Sequence, residues 1–181
     1  RQRQMCIRDS LFCGPVGSGK TTLMYKLARE MDGQVITIED PVEIEEADFL
    51  QLQVNEKIYQ SYDELIKLSL RHHPDVLIIG EIRDTKTIQG AIRAALTGHC
   101  VYATIHAASL ESAHARIFEL GGEATLLKEC LQGIVYQELL SVNETVGLLT
   151  SYRFYKEEVH FTWKEGLNRV AQKANDEKTT S

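Results

Sequence analysis

The residues with the clearest chemical meaning form a glycine-rich segment near the start of the chain, GPVGSGKTT at residues 14–22. Its spacing fits the G-x-x-x-x-G-K-[ST] pattern of a phosphate-binding loop. Glycines let backbone N–H groups approach an anion, and a following helix adds a partial positive charge. In this pattern the lysine contacts the β- and γ-phosphates, and the threonine hydroxyl binds Mg²⁺. The segment therefore predicts a site for a nucleoside triphosphate with Mg²⁺. Its residues are Gly14, Pro15, Val16, Gly17, Ser18, Gly19, Lys20, Thr21 and Thr22.

Two acidic residues, Glu39 and Glu81, stand just after short apolar runs. VITI at residues 35–38 and VLII at residues 76–79 each have the length and composition of a buried strand. Helical patterns separate these runs, which predicts an α/β domain with a mainly parallel sheet and right-handed crossovers. Ligands of such sheets bind at the carboxyl ends of the strands. We therefore expect both carboxylates beside the phosphate loop, where they favour catalysis over passive nucleotide binding.

Local patterns predict where several other elements begin and end. Ser61 and Glu64 form a capping box that starts one helix, and Ser109 caps another. Apolar residues at helical spacing predict a further amphipathic helix over residues 127–135. Residues 42–55 are acidic and irregular, and we interpret their acidic side chains as a solvated face rather than as a second metal site.

The predicted elements divide the chain into four parts. Residues 1–10 resemble translated sequencing-adapter sequence, and we expect them to be a non-native or disordered head. Residues 11–137 form the nucleotide-binding core, whose first strand is only residues 11–13. Residues 138–172 form a C-terminal extension of a hairpin and a helix, and residues 173–181 form a disordered polar tail.

Composition narrows the classes of protein further. The chain has 181 residues, of which 43% are hydrophobic, so one ordinary core is expected. The net charge of -6 argues against a broad nucleic-acid-binding face, and we expect no direct contact with nucleic acid. The four cysteines are scattered without a C-x-x-C pair, which argues against a zinc site. No apolar run approaches the roughly 18–20 residues of a membrane span, so we expect a cytoplasmic protein.

The stretch LRHHPDVLIIGEIRD at residues 70–84 resembles the signature of the ATPases of type II secretion systems and type IV pili, the GspE/PilB kind. Gly80 stands where most phosphate-loop enzymes carry the Walker B aspartate, and Glu81 follows it, as is characteristic of this family. TIEDPVE at residues 37–43 resembles the Asp box of the family. LTGH at residues 96–99, together with the segment that ends at His106, resembles its His box. The resemblance covers roughly residues 11–137.

Two absences make the chain similar to the branch of this family that serves competence pili in Gram-positive bacteria. Many relatives carry a tetracysteine zinc module after the His box, and retraction motors carry an Ile-Arg-rich helix near the C-terminus; this sequence contains neither. Family members also have an N-terminal regulatory domain that packs on the next subunit. These 181 residues do not include it, so we expect the chain alone to hydrolyse ATP poorly.

The resemblance implies a RecA-like P-loop ATPase domain with roles for particular residues. Glu39 would position or activate the attacking water, and Glu81 would act on Mg²⁺, directly or through its waters, together with Thr21. His106 would sense the γ-phosphate, with His99 in support. Two arginines are candidates for contact with phosphate or a neighbouring subunit, although a salt bridge inside the domain is an equally open interpretation. These arginines are Arg71 and Arg83.

The same resemblance implies a setting for the chain. It would form a homohexamer that binds ATP and Mg²⁺ and engages a polytopic inner-membrane platform protein. It would lie in the cytoplasm, peripherally associated with the inner face of the membrane. Two other functions stay open at this point: a nucleotide-binding scaffold without efficient turnover, and another P-loop ATPase or kinase. A kinase would need a basic lid, and no Arg-rich insertion interrupts the predicted sheet.

Overall fold

The computed structural model describes residues 9–142, 145–155 and 160–161. The strands are β1 (Ser10–Cys13), β2 (Val35–Glu39), β3 (Phe49–Gln53), β4 (Val76–Ile79), β5 (Cys100–Ile105), β6 (Gly133–Val142), β7 (Thr145–Phe154) and β8 (His160–Phe161). The α-helices are α1 (Lys20–Arg29), α2 (Tyr62–Leu70), α3 (Thr85–Leu96), α4 (Leu110–Glu119) and α5 (Ala124–Cys130), and a short 3₁₀ helix spans Glu56–Ile58.

The described strands form one sheet in the order β3-β2-β4-β5-β1-β6-β7-β8. All neighbours from β3 to β6 are parallel, and β6, β7 and β8 pair antiparallel. Strand β1 lies between β5 and β6, so the phosphate loop that follows it leaves from the interior of the sheet. The predicted α/β class with a mainly parallel sheet is confirmed.

Helices cover the two faces of the sheet unequally. Helix α1 packs on one face, where Met24 and Tyr25 are buried with Phe12 and Tyr102 of the sheet. Helices α2 to α5 supply the larger cluster on the other face. Every residue of β4 is buried, as expected for a parallel strand covered on both sides. The helix that begins at the phosphate loop therefore stands apart from the other described helices. Among the described residues, no helix is both long and apolar enough to cross a membrane.

The predicted helix starts are confirmed. The Ser61 hydroxyl accepts a hydrogen bond from the Glu64 N–H at 3.4 Å at the start of α2. Ser109 and Ser112 form a reciprocal capping box at the start of α4. Such caps satisfy backbone N–H groups that have no partner within the helix, and they need only residues close together in the sequence.

Residues 42–55 are not irregular throughout, because they contain β3. This strand pairs in parallel with β2, with Leu50 opposite Ile36. It forms the edge of the sheet, and its side chains are only partly covered, which accounts for its mixed FLQLQ sequence. The acidic residues before β3 hid the alternation of leucine and glutamine within it.

The predicted helix over residues 127–135 is wrong in its second half. Helix α5 ends at Cys130, and Gly133 begins β6, where Ile134 and Val135 are buried beside β1. A short apolar run fits the spacing of a helix and that of a strand equally well, and here pairing with β1 selects the strand. Residue 137, the predicted end of the nucleotide-binding core, lies inside β6, so the chain continues past this boundary without a break. Strand β7 pairs with β6 along its whole length.

The expected head ends earlier than residue 10. Ser10 is buried in β1 opposite Tyr102, and the Asp9 carboxylate accepts a hydrogen bond from the Val101 N–H at 3.1 Å. The strand before the phosphate loop therefore has four residues rather than three. The remaining residues of the expected head, and the expected last helix and polar tail, lie outside the described residues.

Candidate active site

A cleft of about 490 Å³ opens at the carboxyl ends of the parallel strands. Its volume is within the range of about 300–1,000 Å³ that is usual for small-molecule sites. The phosphate loop, the ends of β2, β4 and β5, and the start of α2 all contribute to it. Its lining residues are Val16, Gly17, Gly19, Lys20, Thr21, Thr22, Glu39, Asp40, Pro41, Glu43, Ile44, Tyr62, Gly80, Glu81, Arg83, Thr104 and His106.

The backbone of the phosphate loop requires glycine at its two ends. Gly14 has φ of 139°, and a Cβ there would lie 2.0 Å from the carbonyl oxygen of Gln137. Gly19 is the N-cap of α1 with φ of 84°, in the left-handed region that side chains disfavour. The loop therefore packs directly against β6 and turns straight into α1, whose N-terminus faces the cleft.

Lys20 lies inside the curve of this loop. Its ammonium donates hydrogen bonds to the carbonyls of Gly14 at 2.9 Å and Pro15 at 2.7 Å. Burial lowers the pKa of Lys20, and the carboxylates of Glu81 and Glu43 partly oppose that shift. The side chain thus places a positive charge against the backbone of the loop, at the cleft that Lys20 lines, where it can attract a phosphate.

Glu39 is buried at the end of β2, where it is 5% exposed and lines the cleft. Its Oε1 atom accepts hydrogen bonds from the Tyr25 hydroxyl at 2.5 Å and the Thr37 hydroxyl at 2.6 Å. The Gln51 side-chain amide lies 3.5 Å from the same atom. Among the described residues, none donates a hydrogen bond to Oε2. One oxygen is therefore held by hydroxyls from α1 and β2, with Gln51 of β3 beside it, and the other has no donor among the described residues.

Glu81 is held differently, by the side chains of Arg83 and His106. His106 Nε2 lies 3.1 Å from Glu81 Oε1, and Arg83 Nε pairs with Oε2. The same guanidinium lies 3.4 Å from the Asp40 carboxylate, and Glu81 raises the pKa of Arg83. The side chain of Glu81 is 14% exposed, whereas those of Arg83 and His106 are each 55% exposed. These charges link the ends of β2, β4 and β5.

Gly80 brings the ends of β2 and β4 close together. The Gly80 N–H donates a hydrogen bond to the carbonyl of Ile38 at 2.8 Å. The Gly80 carbonyl accepts a hydrogen bond from the Thr104 hydroxyl. A Cβ at this position would lie 3.0 Å from the Ile38 oxygen and 3.3 Å from both Glu39 Cα and the Tyr62 hydroxyl. Any side chain here would require its neighbours to give by a few tenths of an ångström, so the close approach of β2 and β4 favours glycine at this position.

Two predicted site residues lie away from the cleft. Arg71 is exposed at the C-cap of α2, and His99 lies in the turn before β5. Both therefore precede the amino end of a strand, at the opposite edge of the sheet. The His99 ring nitrogen Nδ1 lies 3.1 Å from the Thr97 hydroxyl and 3.2 Å from the Ala94 carbonyl. Of Arg71, Arg83 and His99, only Arg83 lines this chain's cleft.

The polar side chains of the site that sequence reasoning missed include Tyr25, Thr37, Gln51 and Tyr62. The spacing of Thr37 and Glu39 was a usable signal, because residues two apart in a strand share one face. Burial raises the pKa of Tyr62 to about 12, so its hydroxyl stays protonated beside the cleft. Nothing in the local sequence indicated Tyr25 or Gln51, since their contacts join elements distant along the chain.

The donor set at the cleft fits Mg²⁺ bound together with a nucleotide. Within the described ranges, no group of three or more His, Cys, Asp or Glu side chains is placed to hold a metal ion by itself. Mg²⁺ binds proteins through one or two oxygen ligands together with substrate phosphates and waters. Thr21 and Glu81 supply a hydroxyl and a carboxylate on the same cleft.

Comparison with solved structures agrees with this geometry. The pilus retraction motor PilT with bound ADP superposes with a TM-score of 0.70 at 29% identity, over 81% of this chain and 47% of that structure. The ATPase DotB of Legionella pneumophila superposes with a TM-score of 0.69 at 28% identity, over 84% of this chain and 47% of that structure. The fold is therefore that of the RecA-like P-loop secretion ATPases.

Curated relatives point the same way. Competence protein ComGA of Streptococcus pneumoniae is 49% identical over 162 residues, which is 88% of this chain and 51% of the relative. ComGA of Bacillus subtilis is 40% identical over 136 residues, which is 73% of this chain and 38% of the relative. The chain thus spans about half the length of these relatives, or less. Residues 2–178 match the family described as Type II/IV secretion system protein. This chain belongs to that family.

Proposed function

We propose that this chain is the ATPase domain of a motor subunit that drives a competence pilus for DNA uptake. The relatives named ComGA support the competence branch, and the family supports a secretion or pilus machine. One observation carries the catalytic part of the proposal. The Tyr25 and Thr37 hydroxyls hold one oxygen of Glu39, no described residue donates to the other, and Glu39 lines the same cleft as Lys20 and the phosphate loop.

The side chains divide the work of hydrolysis. Lys20 and the loop N–H groups bind the phosphates, and Glu39 Oε2 orients the attacking water and accepts its proton. Thr21 and Glu81 are the residues that would hold Mg²⁺, which when bound neutralises charge on the phosphates. His106 Nε2 lies 3.1 Å from Glu81 Oε1, so a change in the groups that Glu81 contacts is felt by His106 at the end of β5.

The setting proposed for the motor follows from the family. It is a homohexamer at the inner face of the cytoplasmic membrane, and it engages a polytopic platform protein rather than nucleic acid. Arg71 and His99, at the opposite edge of the sheet from this chain's own cleft, are candidates for contact with a neighbouring subunit. Arg83 is the candidate for contact with phosphate within the subunit.

The test is Glu39→Gln in the full-length protein that carries this chain. Removing the base while keeping the shape should lower phosphate release by about 10²–10⁴-fold and leave ATP affinity unchanged. Glu45→Gln is the matched control, because Glu45 is exposed and does not line the cleft. Wild-type turnover in Glu39→Gln would remove Glu39 from the mechanism. An absence of phosphate release from the assembled wild-type protein would favour a nucleotide-binding scaffold instead.

A further inference from the structure

The Tyr25 hydroxyl connects the helix of the phosphate loop to the buried carboxylate of Glu39. Tyr25 lies in α1, five residues after Lys20, and is 1% exposed. Its hydroxyl donates to Glu39 Oε1 at 2.5 Å, and its ring packs edge-to-face on Phe49 with the centroids 5.2 Å apart. The ring alone would satisfy the packing of this region, so the hydroxyl needs a separate explanation.

The direction of the hydrogen bonds around this hydroxyl is determined by its neighbours. The Gln51 amide donates to the Tyr25 oxygen at 2.9 Å and to the Ile44 carbonyl at 2.8 Å. The Gln51 carbonyl accepts from the Glu46 N–H at 2.8 Å, which fixes the orientation of the amide. Because Gln51 donates to the Tyr25 oxygen, the single hydroxyl proton points at Glu39. Burial and the bond to Glu39 raise the pKa of Tyr25, so this proton stays in place.

We propose that Tyr25 is a positioning residue for Glu39: its hydroxyl holds Oε1 so that Oε2 faces the attacking water, and Gln51 orients that hydroxyl. This inference rests on the proposed role of Glu39. Thr37 holds the same oxygen from the strand of Glu39 itself, whereas Tyr25 holds it from the phosphate-loop helix. The carboxylate and the phosphate loop are thereby both fixed to α1, which sets their separation.

The variant that isolates the hydroxyl is Tyr25→Phe in the full-length protein. It keeps the ring on Phe49 and removes the donor from α1, so Oε1 of Glu39 is held only by Thr37 of its own strand and the carboxylate is less firmly oriented. We expect kcat to fall about 10- to 100-fold, since small misplacements of a reacting group cost rates of this order. The KM for ATP and the ATP affinity should not change, because no phosphate ligand is altered. A structural defect would instead change affinity and thermal stability together.

The matched control is Tyr136→Phe. Tyr136 is also a buried tyrosine whose hydroxyl donates to a carboxylate, that of Glu138 at 3.0 Å, but it packs in the cluster on the other face of the sheet. Its loss should leave kcat unchanged. A kcat loss in Tyr136→Phe equal to that in Tyr25→Phe would overturn the proposal, because any buried hydroxyl would then have the same effect.

A double variant shows whether Tyr25 acts through Glu39. In single-turnover experiments, Tyr25→Phe should slow the wild-type protein but add little in a Glu39→Gln background. If Tyr25→Phe slows the reaction equally in both backgrounds, the positioning role of Tyr25 is overturned and the role of Glu39 is not. The same holds if Tyr25→Phe has the wild-type kcat while Glu39→Gln is inactive. Full turnover in Glu39→Gln would overturn the proposed role of Glu39 and the inference that depends on it.

Discussion

The two carboxylates of the cleft are held by different physical means. Glu39 is buried and is held by uncharged hydroxyl donors from α1 and β2, with the Gln51 amide of β3 beside them. Glu81 is held by the side chains of Arg83 and His106, both of which are more than half exposed. The first arrangement depends on the packing of the core, and the second depends on charges at a surface that water and ions reach.

This difference suggests different roles. A hydrogen-bonded, buried carboxylate keeps one geometry, because moving it would leave several donors without partners. An ion pair whose cation is more than half exposed, as that of Arg83 with Glu81 is, is weakened by water, so the cation exchanges partners at little cost. Glu39 is therefore suited to orienting a water at a fixed position. Glu81 is suited to changing its partners as charged ligands arrive and leave.

The largest expected effect concerns the packing around Glu39. Tyr25→Ala removes a buried ring and should lower the free energy of unfolding by about 3–5 kcal/mol, as large-to-small core substitutions do. Denaturant unfolding measures the change. Tyr59→Ala is the control, because Tyr59 is 88% exposed and its loss should cost at most about 0.5 kcal/mol. Equal costs for the two variants would show that the Glu39 region does not depend on core packing.

A smaller effect is expected for the metal dependence of Glu81. Glu81→Gln removes the negative charge proposed to act on Mg²⁺ while keeping the shape. The Mg²⁺ concentration for half-maximal phosphate release should rise about 10- to 100-fold, the usual cost of losing a residue that supports a metal ligand set. Glu45→Gln should leave that concentration unchanged. An unaltered Mg²⁺ dependence in Glu81→Gln would separate Glu81 from the metal and contradict the contrast with Glu39.

The smallest effect is expected for the cation beside Glu81. Arg83→Ala should change the free energy of unfolding by less than about 1 kcal/mol, since its side chain is 55% exposed. The change should shrink further at high salt, because salt screens exposed charges. Lys67→Ala, which removes the ion pairs with Asp63 and Glu64 on α2, should show the same weakening with salt. A loss above about 2 kcal/mol for Arg83 alone would mean that its ion pairs act as a buried network does.

The parts of the fold that sequence reasoning predicted well depend on neighbouring residues. The phosphate loop and the caps at Ser61 and Ser109 need only a few adjacent side chains, and their patterns are specific. The two elements that it missed, β3 and β6, depend on pairing with β2 and β1. Their local sequences are compatible with more than one conformation, and distant backbone groups select the strand.

The candidate site divides in the same way. The positions of Glu39 and Glu81 followed from the rule that parallel strands end at one edge of the sheet, and that of His106 from the resemblance to the His box. Arg71 and His99 lie at the other edge, because each comes before a strand rather than after it. The opposite placement of Arg71 and Arg83 follows from chain direction, and sequence proximity to a motif did not reveal it.

By itself, the sequence determined that this chain has a phosphate loop in a parallel α/β sheet with carboxylates at the strand ends. Each of these features is specified by a few consecutive residues, and their order along the chain gives the direction of each strand. Only the tertiary structure decided which oxygen of Glu39 is held and which is available. That outcome depends on a tyrosine from α1 and a glutamine from the edge strand meeting one carboxylate. Contacts of this kind join residues far apart in the chain, and no local pattern specifies them.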